Sequence, residues 1–197
     1  MVIHAKSASE GAVSLFRPML IINTETPYSA QGKTLIQQLK KKAPAEEVQE
    51  TINQIHELAA EQGVTDVLIP STDAFVTAIC RLGAKSLAHV LSCIERGKER
   101  LLEVAQTSEP ARRQIVASVF EYWKDQSGVA VRIIDILLNY TILAPMTVIQ
   151  WVLGDNLGAG EGLTESWVYE IVSITIAKVC SIDHHLSHPR LTPLLGF

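Results

Sequence analysis

SLAHVLSCIERGKERLLE, residues 86–103, mixes apolar and charged side chains, and their spacing decides the fold. Wound at about 100° per residue, Leu87, Val90, Leu91, Ile94, Leu101, Leu102 and Ala105 share one broad stripe. That is the width of a helix packed against a core. Glu95, Glu99 and Glu103 follow one another on one flank, and His89, Arg96 and Arg100 form the other. Ser86 stands where its hydroxyl can accept from an otherwise unpaired amide at the helix start. The basic flank is either a solvated face with glutamate neighbours or a contact surface for an acidic partner or a phosphate. Lys98 falls near the centre of the apolar stripe. Either its stem packs while the amine snorkels to water, or it forms a buried ion pair with a carboxylate on a neighbouring helix, such as Asp135 or Asp155.

The same period recurs on both sides of this stretch. Residues 31–42 predict a helix with Leu35, Ile36 and Leu39 inward. Pro44 opens the next, where its missing amide does no harm. Val48, Ile52, Ile55 and Ala59 line it, and Gly63 closes it in the left-handed conformation. Ser71 is read as the cap of a third helix, with Phe75, Ile79 and Leu82 inward. After Ser108 and Pro110, Ile115, Val116, Val119, Phe120, Tyr122 and Trp123 crowd a fifth helix on more than one side, which places it centrally, and Gly128 is read as its end. Val131, Ile134, Leu137 and Leu138 mark a sixth. Pro145 starts a short seventh with Val148, Ile149 and Val152. After NLGAGEG (156–162), Thr164 is read as the cap of an eighth lined by Val168, Ile171, Val172, Thr175 and Val179. No segment of comparable length alternates with period two.

Helix pairs of this size occupy about 35 to 45 residues, as in HEAT-type repeats. The expected fold is all-α, an antiparallel helical-repeat stack of HEAT or armadillo type. Three regions follow: an irregular segment at 1–25, a helical-repeat domain at 26–180, and a loose tail at 181–197.

Composition narrows the function. Of 197 residues, 47% are hydrophobic and 19% charged, which suits several buried faces and excludes a disordered chain. The formal net charge of -4 argues against an unaided grip on a phosphate backbone. Cys80, Cys93 and Cys180 are odd in number and lack CxxC spacing, as expected of reduced thiols. The apolar runs are too short and interrupted to span a membrane. VSLFRPMLII (13–22) is broken by Arg17 and Pro18 and does not read as a secretory signal.

Candidate chemistry reduces to structure on inspection. DHHLSH (183–188) offers an acid and three histidines, but His184 and His188 share a face only if a helix continues, and Pro189 opposes that. GAGEG (158–162) lacks the preceding strand that a phosphate-binding loop requires. Asn139-Tyr140-Thr141 matches a glycosylation sequon at the end of a buried helix. Trp123, Trp151 and Trp167 occupy helical positions and read as core. Neither paired carboxylates nor an activated nucleophile stands out, so no catalytic residue, metal ligand or cofactor is expected.

ETPYSAQGKTLIQQLKKKA (25–43), QIHELAAEQG (54–63), IPSTDAFVTAIC (69–80), KSLAHVLSCIERGKERLL (85–102) and the long run from Ala111 to Leu153 together resemble the large subunit of the nuclear cap-binding complex, in its fungal form. The resemblance covers residues 24–179 and corresponds to part of the third and last helical domain of that subunit. It implies a fold like the middle domain of translation initiation factor 4G. It also implies a non-enzymatic scaffold in the nucleus, shuttling to the cytoplasm. The implied partners are a small subunit of RNA-recognition fold and factors of RNA processing, splicing, export and nonsense-mediated decay. Capped RNA is met through the small subunit, whose residues hold the cap, so no cap-contacting residue is carried over here. Gly97 departs from the family, which often has a bulkier residue there, and Ala144 stands where a threonine cap is common. Residues 181–197 do not resemble the family. The other reading is a different HEAT-like adaptor, or a translation-initiation scaffold that binds RNA directly.

Overall fold

The computed structural model describes residues 28–155 and 161–186, with the backbone alone at 155, 161 and 181–186. Eight α-helices fill these residues: α1 Ser29–Lys41, α2 Ala45–Glu61, α3 Leu68–Gly83, α4 Leu87–Thr107, α5 Glu109–Tyr122, α6 Ser127–Asn139, α7 Pro145–Gln150 and α8 Ser166–Leu186. No strand forms among them. Most helices pack against the next but one in sequence: α1 on α3, α3 on α5 and α5 on α7, with α4 on α6 and α6 on α8. The odd-numbered helices thus make one layer and most even-numbered ones a second. This is the arrangement of a helical-repeat stack, in which each pair buries its apolar face on the pairs beside it.

Local sequence explains most of the helix ends. Gly63, at φ 74°, closes α2, with the Val64 amide donating to the Ala59 carbonyl at 3.0 Å. Ser86 caps α4 by accepting from the His89 amide at 3.4 Å, and Ser108 caps α5 by accepting from the Ala111 amide at 3.2 Å. Several expected boundaries move. Thr164, expected to cap α8, ends a 3₁₀ turn at Glu161–Thr164, and α8 begins at Ser166. α3 begins at Leu68, because the Asp66 carboxylate accepts the Leu68 amide at 3.0 Å and takes the capping role expected of Ser71. α5 ends at Tyr122, and a 3₁₀ turn at Lys124–Gln126 leads into α6, so Gly128 lies inside α6 and ends nothing. α8 runs on through Leu186, past the expected start of a loose tail at Ser181. Helix propagation adds one hydrogen bond per residue, and the first proline after the start of α8 is Pro189.

The core lies between the layers. Ile52, Ile55, Ile115, Ile134, Leu137 and Ile171 are fully buried, as the stripes predict. Val179, expected inward, is half-exposed. In α4 the buried line runs through Val90, Cys93, Ile94, Gly97, Leu101, Val104 and Ala105, while Leu87, Leu91 and Leu102 reach only partial burial. Gly83 and Gly97 set how closely α3 and α4 approach. A Cβ on Gly83 would fall 2.6 Å from the Val90 Cα, so no larger residue fits without moving backbone.

Candidate protein-docking groove

The basic flank of α4 faces the corner where α1 turns into α2. Lys42 takes a left-handed conformation there, at φ 57°, and the Ala43 amide donates to the Gln38 carbonyl at 2.9 Å. The Gln38 side chain is itself buried. It donates to the Glu47 carbonyl at 3.1 Å and accepts from the Thr51 hydroxyl at 3.1 Å, locking α1 to α2. Arg96 reaches across and donates to the Leu39 carbonyl at 3.0 Å, satisfying an acceptor at the end of α1. Arg100 donates to the Gln49 amide oxygen at 2.6 Å, and its guanidinium lies 5.6 Å from the Phe75 ring centroid. Burial pushes the Arg100 pKa down, and Glu103 opposes that shift.

These contacts bound a groove of about 360 Å³ whose floor holds Phe75, Val48 and Gly97. Its rim carries both signs, with Lys42, Arg96 and Arg100 beside Glu99 and Glu103. Mixed charge around an apolar floor suits a protein segment better than a polyphosphate chain. Both arginines are already engaged within the chain, so they shape the groove as much as they offer charge. His89 stands apart from them in the first turn of α4, where its Nδ1 lies 2.7 Å from the Ser86 hydroxyl. The structure therefore brings together two of the three residues of the expected basic flank.

Lys98 is half-buried and points the other way, toward α6, with its ammonium 4.7 Å from the Tyr140 ring centroid. The hydrogen bond of the Tyr140 hydroxyl to Glu95, followed by desolvation and the Glu95 charge, pushes the Tyr140 pKa up. The expected pairing of Lys98 with Asp135 does not form, because Asp135 is held by Lys178 at 2.8 Å. The Asp155 side chain lies outside the described residues. An aromatic face takes the place of the buried carboxylate, which removes the need to desolvate two full charges.

One juxtaposition had no signal in the sequence. His56 Nε2 lies 2.9 Å from the Ser71 hydroxyl, joining α2 to α3 across 15 positions. The pair has the composition of a nucleophile and its base, but Ser71 is buried and its hydroxyl donates to the Leu68 carbonyl at 3.1 Å. The nearby Asp66 carboxylate caps α3 and accepts from Ser108. The arrangement is a fastening between helices. Burial, followed by Arg100, lowers the His56 pKa, and Asp66 partly offsets this.

Of the three cysteines, Cys80 and Cys93 are buried and Cys180 is exposed on α8. Cys80 is fully buried and its thiol is pushed up to about 12, which leaves it protonated and inert. Trp123 and Trp151 are buried and Trp167 half-buried, with Phe120 stacked 5.0 Å from Trp151. Among the described residues no group of three or more His, Cys, Asp or Glu is placed to hold a metal, and no helix is long and apolar enough to cross a membrane. Asp183, His184 and His185 belong to α8 by backbone, and His188 lies outside the described residues, as does most of GAGEG. A helical turn, Trp151–Asp155, precedes that loop, not a strand.

The MIF4G-like family matches residues 20–186. The chain belongs to that family. The MIF4G-like match spans all eight helices, in accord with the two-layer stack. Among curated relatives, Nuclear cap-binding protein subunit 1 of Anopheles gambiae is 29% identical over 89% of this chain and 21% of its own length. The protein of the same name from Schizosaccharomyces pombe is 25% identical over 83% of this chain and 20% of its own. That from Caenorhabditis briggsae is 20% identical over 81% and 19%. This MIF4G-like chain thus spans about a fifth of the length of those relatives. The likeness extends to insect and nematode proteins as well as a fungal one.

Proposed function

We propose that this chain is a non-enzymatic helical scaffold of the nuclear mRNA cap-binding complex. In this reading it corresponds to part of the third helical domain of the large subunit. It supports the small RNA-recognition-fold subunit and docks RNA-processing, splicing, export and decay factors. It meets capped RNA through that subunit and works in the nucleus, shuttling to the cytoplasm. The observation that carries the reading is that 81–89% of the chain aligns with proteins all named Nuclear cap-binding protein subunit 1. The net charge of -4 supports indirect contact with RNA, since direct grip on phosphates calls for a basic surface.

The test is co-purification with the small subunit, scored by retention on a methylguanosine-cap resin. Retention of the chain in the presence of the small subunit, and none without it, is the expected result. Retention of the isolated chain on capped RNA would replace this reading with that of a scaffold binding RNA directly. Failure to co-purify under any condition would reject a role in supporting the small subunit.

A further inference from the structure

Arg112, near the start of α5, is a cation without a counter-charge. Its side chain is half-buried, and its Nε is buried with no hydrogen-bond partner. Among the described residues no hydrogen bond or ion pair engages its guanidinium. The neighbouring cations differ: Arg113 pairs with Glu109 at 2.8 Å, and Lys178 with Asp135 at 2.8 Å. The Nε itself has almost no accessible surface, so an outside group would meet the terminal nitrogens of the guanidinium, which carry the unbalanced charge.

Arg112 borders a cleft of about 260 Å³ where α4, α5 and the α6–α7 corner meet. Leu102, Leu138, Ile142 and Pro145 supply apolar walls. Lys178 also reaches the cleft, with its charge already balanced by Asp135. The uncompensated charge in the cleft is therefore that of one guanidinium, enclosed by aliphatic surface. A guanidinium presents parallel N–H groups that match a carboxylate in fork geometry. The walls match an aliphatic side chain beside it, and the volume holds a short pair of side chains and little more. Phosphate-backbone binding calls for several open cations in a row, which this cleft lacks.

We propose that the cleft docks an acidic, apolar segment of a partner protein, with a Glu or Asp carboxylate on Arg112 and an adjacent aliphatic side chain against Leu138 and Ile142. The proposal does not depend on the small subunit. A chain that fails on the cap resin and still binds the acidic segment separates the two.

The probe is the peptide acetyl-Leu-Glu-Leu-Leu-amide, with its Gln analogue as control, titrated into the full chain labelled with ¹⁵N. The Arg112 Nε–H resonance is expected to shift saturably with the Glu peptide and to stay in place with the Gln analogue. Arg112→Met, which keeps the apolar stem, is expected to fold and to weaken binding about tenfold or more. Arg112→Lys is expected to retain part of the affinity, which distinguishes lost charge from lost packing. An unmoved Nε–H, equal binding of the Gln analogue, or a shift produced instead by a short uncapped RNA would overturn the proposal. So would self-association of the chain that buries the same resonance in the absence of peptide.

Discussion

Gly97 on α4 lies directly over the Phe75 ring of α3: a Cβ at position 97 would stand 3.1 Å from two carbons of that ring and 3.2 Å from Ile79 Cδ1. A glycine inside a helix costs about 1 kcal/mol against alanine, and here the contact explains its presence. The missing methyl lets the ring form the groove floor and lets Arg100 lie across it. Gly97→Ala sets that propensity gain against overpacking of about 1–3 kcal/mol, so a net loss of about 1 kcal/mol is expected. Gly83→Ala is expected to cost more, about 2–3 kcal/mol, because it meets the Val90 backbone as well as its side chain, at closer range. Thermal unfolding of both variants checks the order. A Gly97→Ala variant less stable than Gly83→Ala would contradict the packing described.

Lys98→Met tests the cation over Tyr140. A partly exposed contact of this kind is worth about 0.5–1 kcal/mol, and methionine keeps the apolar stem. The expected change in unfolding free energy is therefore below about 1 kcal/mol. A loss of about 3 kcal/mol or more would reveal an orphaned buried carboxylate in place of the aromatic partner.

Burial of His56, followed by the charge of Arg100, makes stability depend on pH. His56 is held below its ordinary value of 6.5 in the folded chain, so between the two values the unfolded chain binds more protons. Its contribution is complete above pH 6.5 and is lost as pH falls through the lowered folded value. The melting temperature of the wild type should drop on acidification below pH 6.5, and His56→Gln should flatten that part of the curve. Identical slopes in the two proteins would exclude His56 as the source.

Thr141 is a β-branched residue at φ 57°, just past the end of α6. The Ile142 amide still donates to the Leu137 carbonyl at 3.0 Å, so the bonding of a left-handed helix cap is present without its usual glycine. Relief of left-handed strain is worth roughly 1–2 kcal/mol, less the conformational entropy that glycine adds to the unfolded chain. Thr141→Gly should raise stability by about 0.5–1 kcal/mol, read from the denaturant midpoint. A lower midpoint would show that the threonine hydroxyl, which donates to the Tyr140 carbonyl at 2.7 Å, outweighs the strain.

If the groove docks the small subunit, Arg96→Glu should weaken its capture and reduce the dependence of capture on salt together. The variant also loses the 3.0 Å bond to the Leu39 carbonyl, so its circular dichroism and melting must be compared with those of Arg96→Gln. Capture equal to wild type at low salt would remove Arg96 from the docking surface.

The sequence by itself determined what depends on nearest neighbours along the chain. A period of 3.6 places Ile52, Ile55, Ile134 and Leu137 on buried faces wherever the partner helix comes from. Ser86, Ser108 and Gly63 act on amides and carbonyls a few residues away, so their roles were legible too. Tertiary structure alone decided the fate of groups whose partners lie far along the chain. Lys98 finds Tyr140, Asp135 finds Lys178, Arg96 finds Leu39, and His56 finds Ser71. The start of α3 moved because Asp66 reached the Leu68 amide before Ser71 could act as a cap. The physical reason is one of range. Helix periodicity and capping are written within one or two turns, whereas a charge or a hydroxyl settles on whichever complementary group the packed layers bring within about 3 Å.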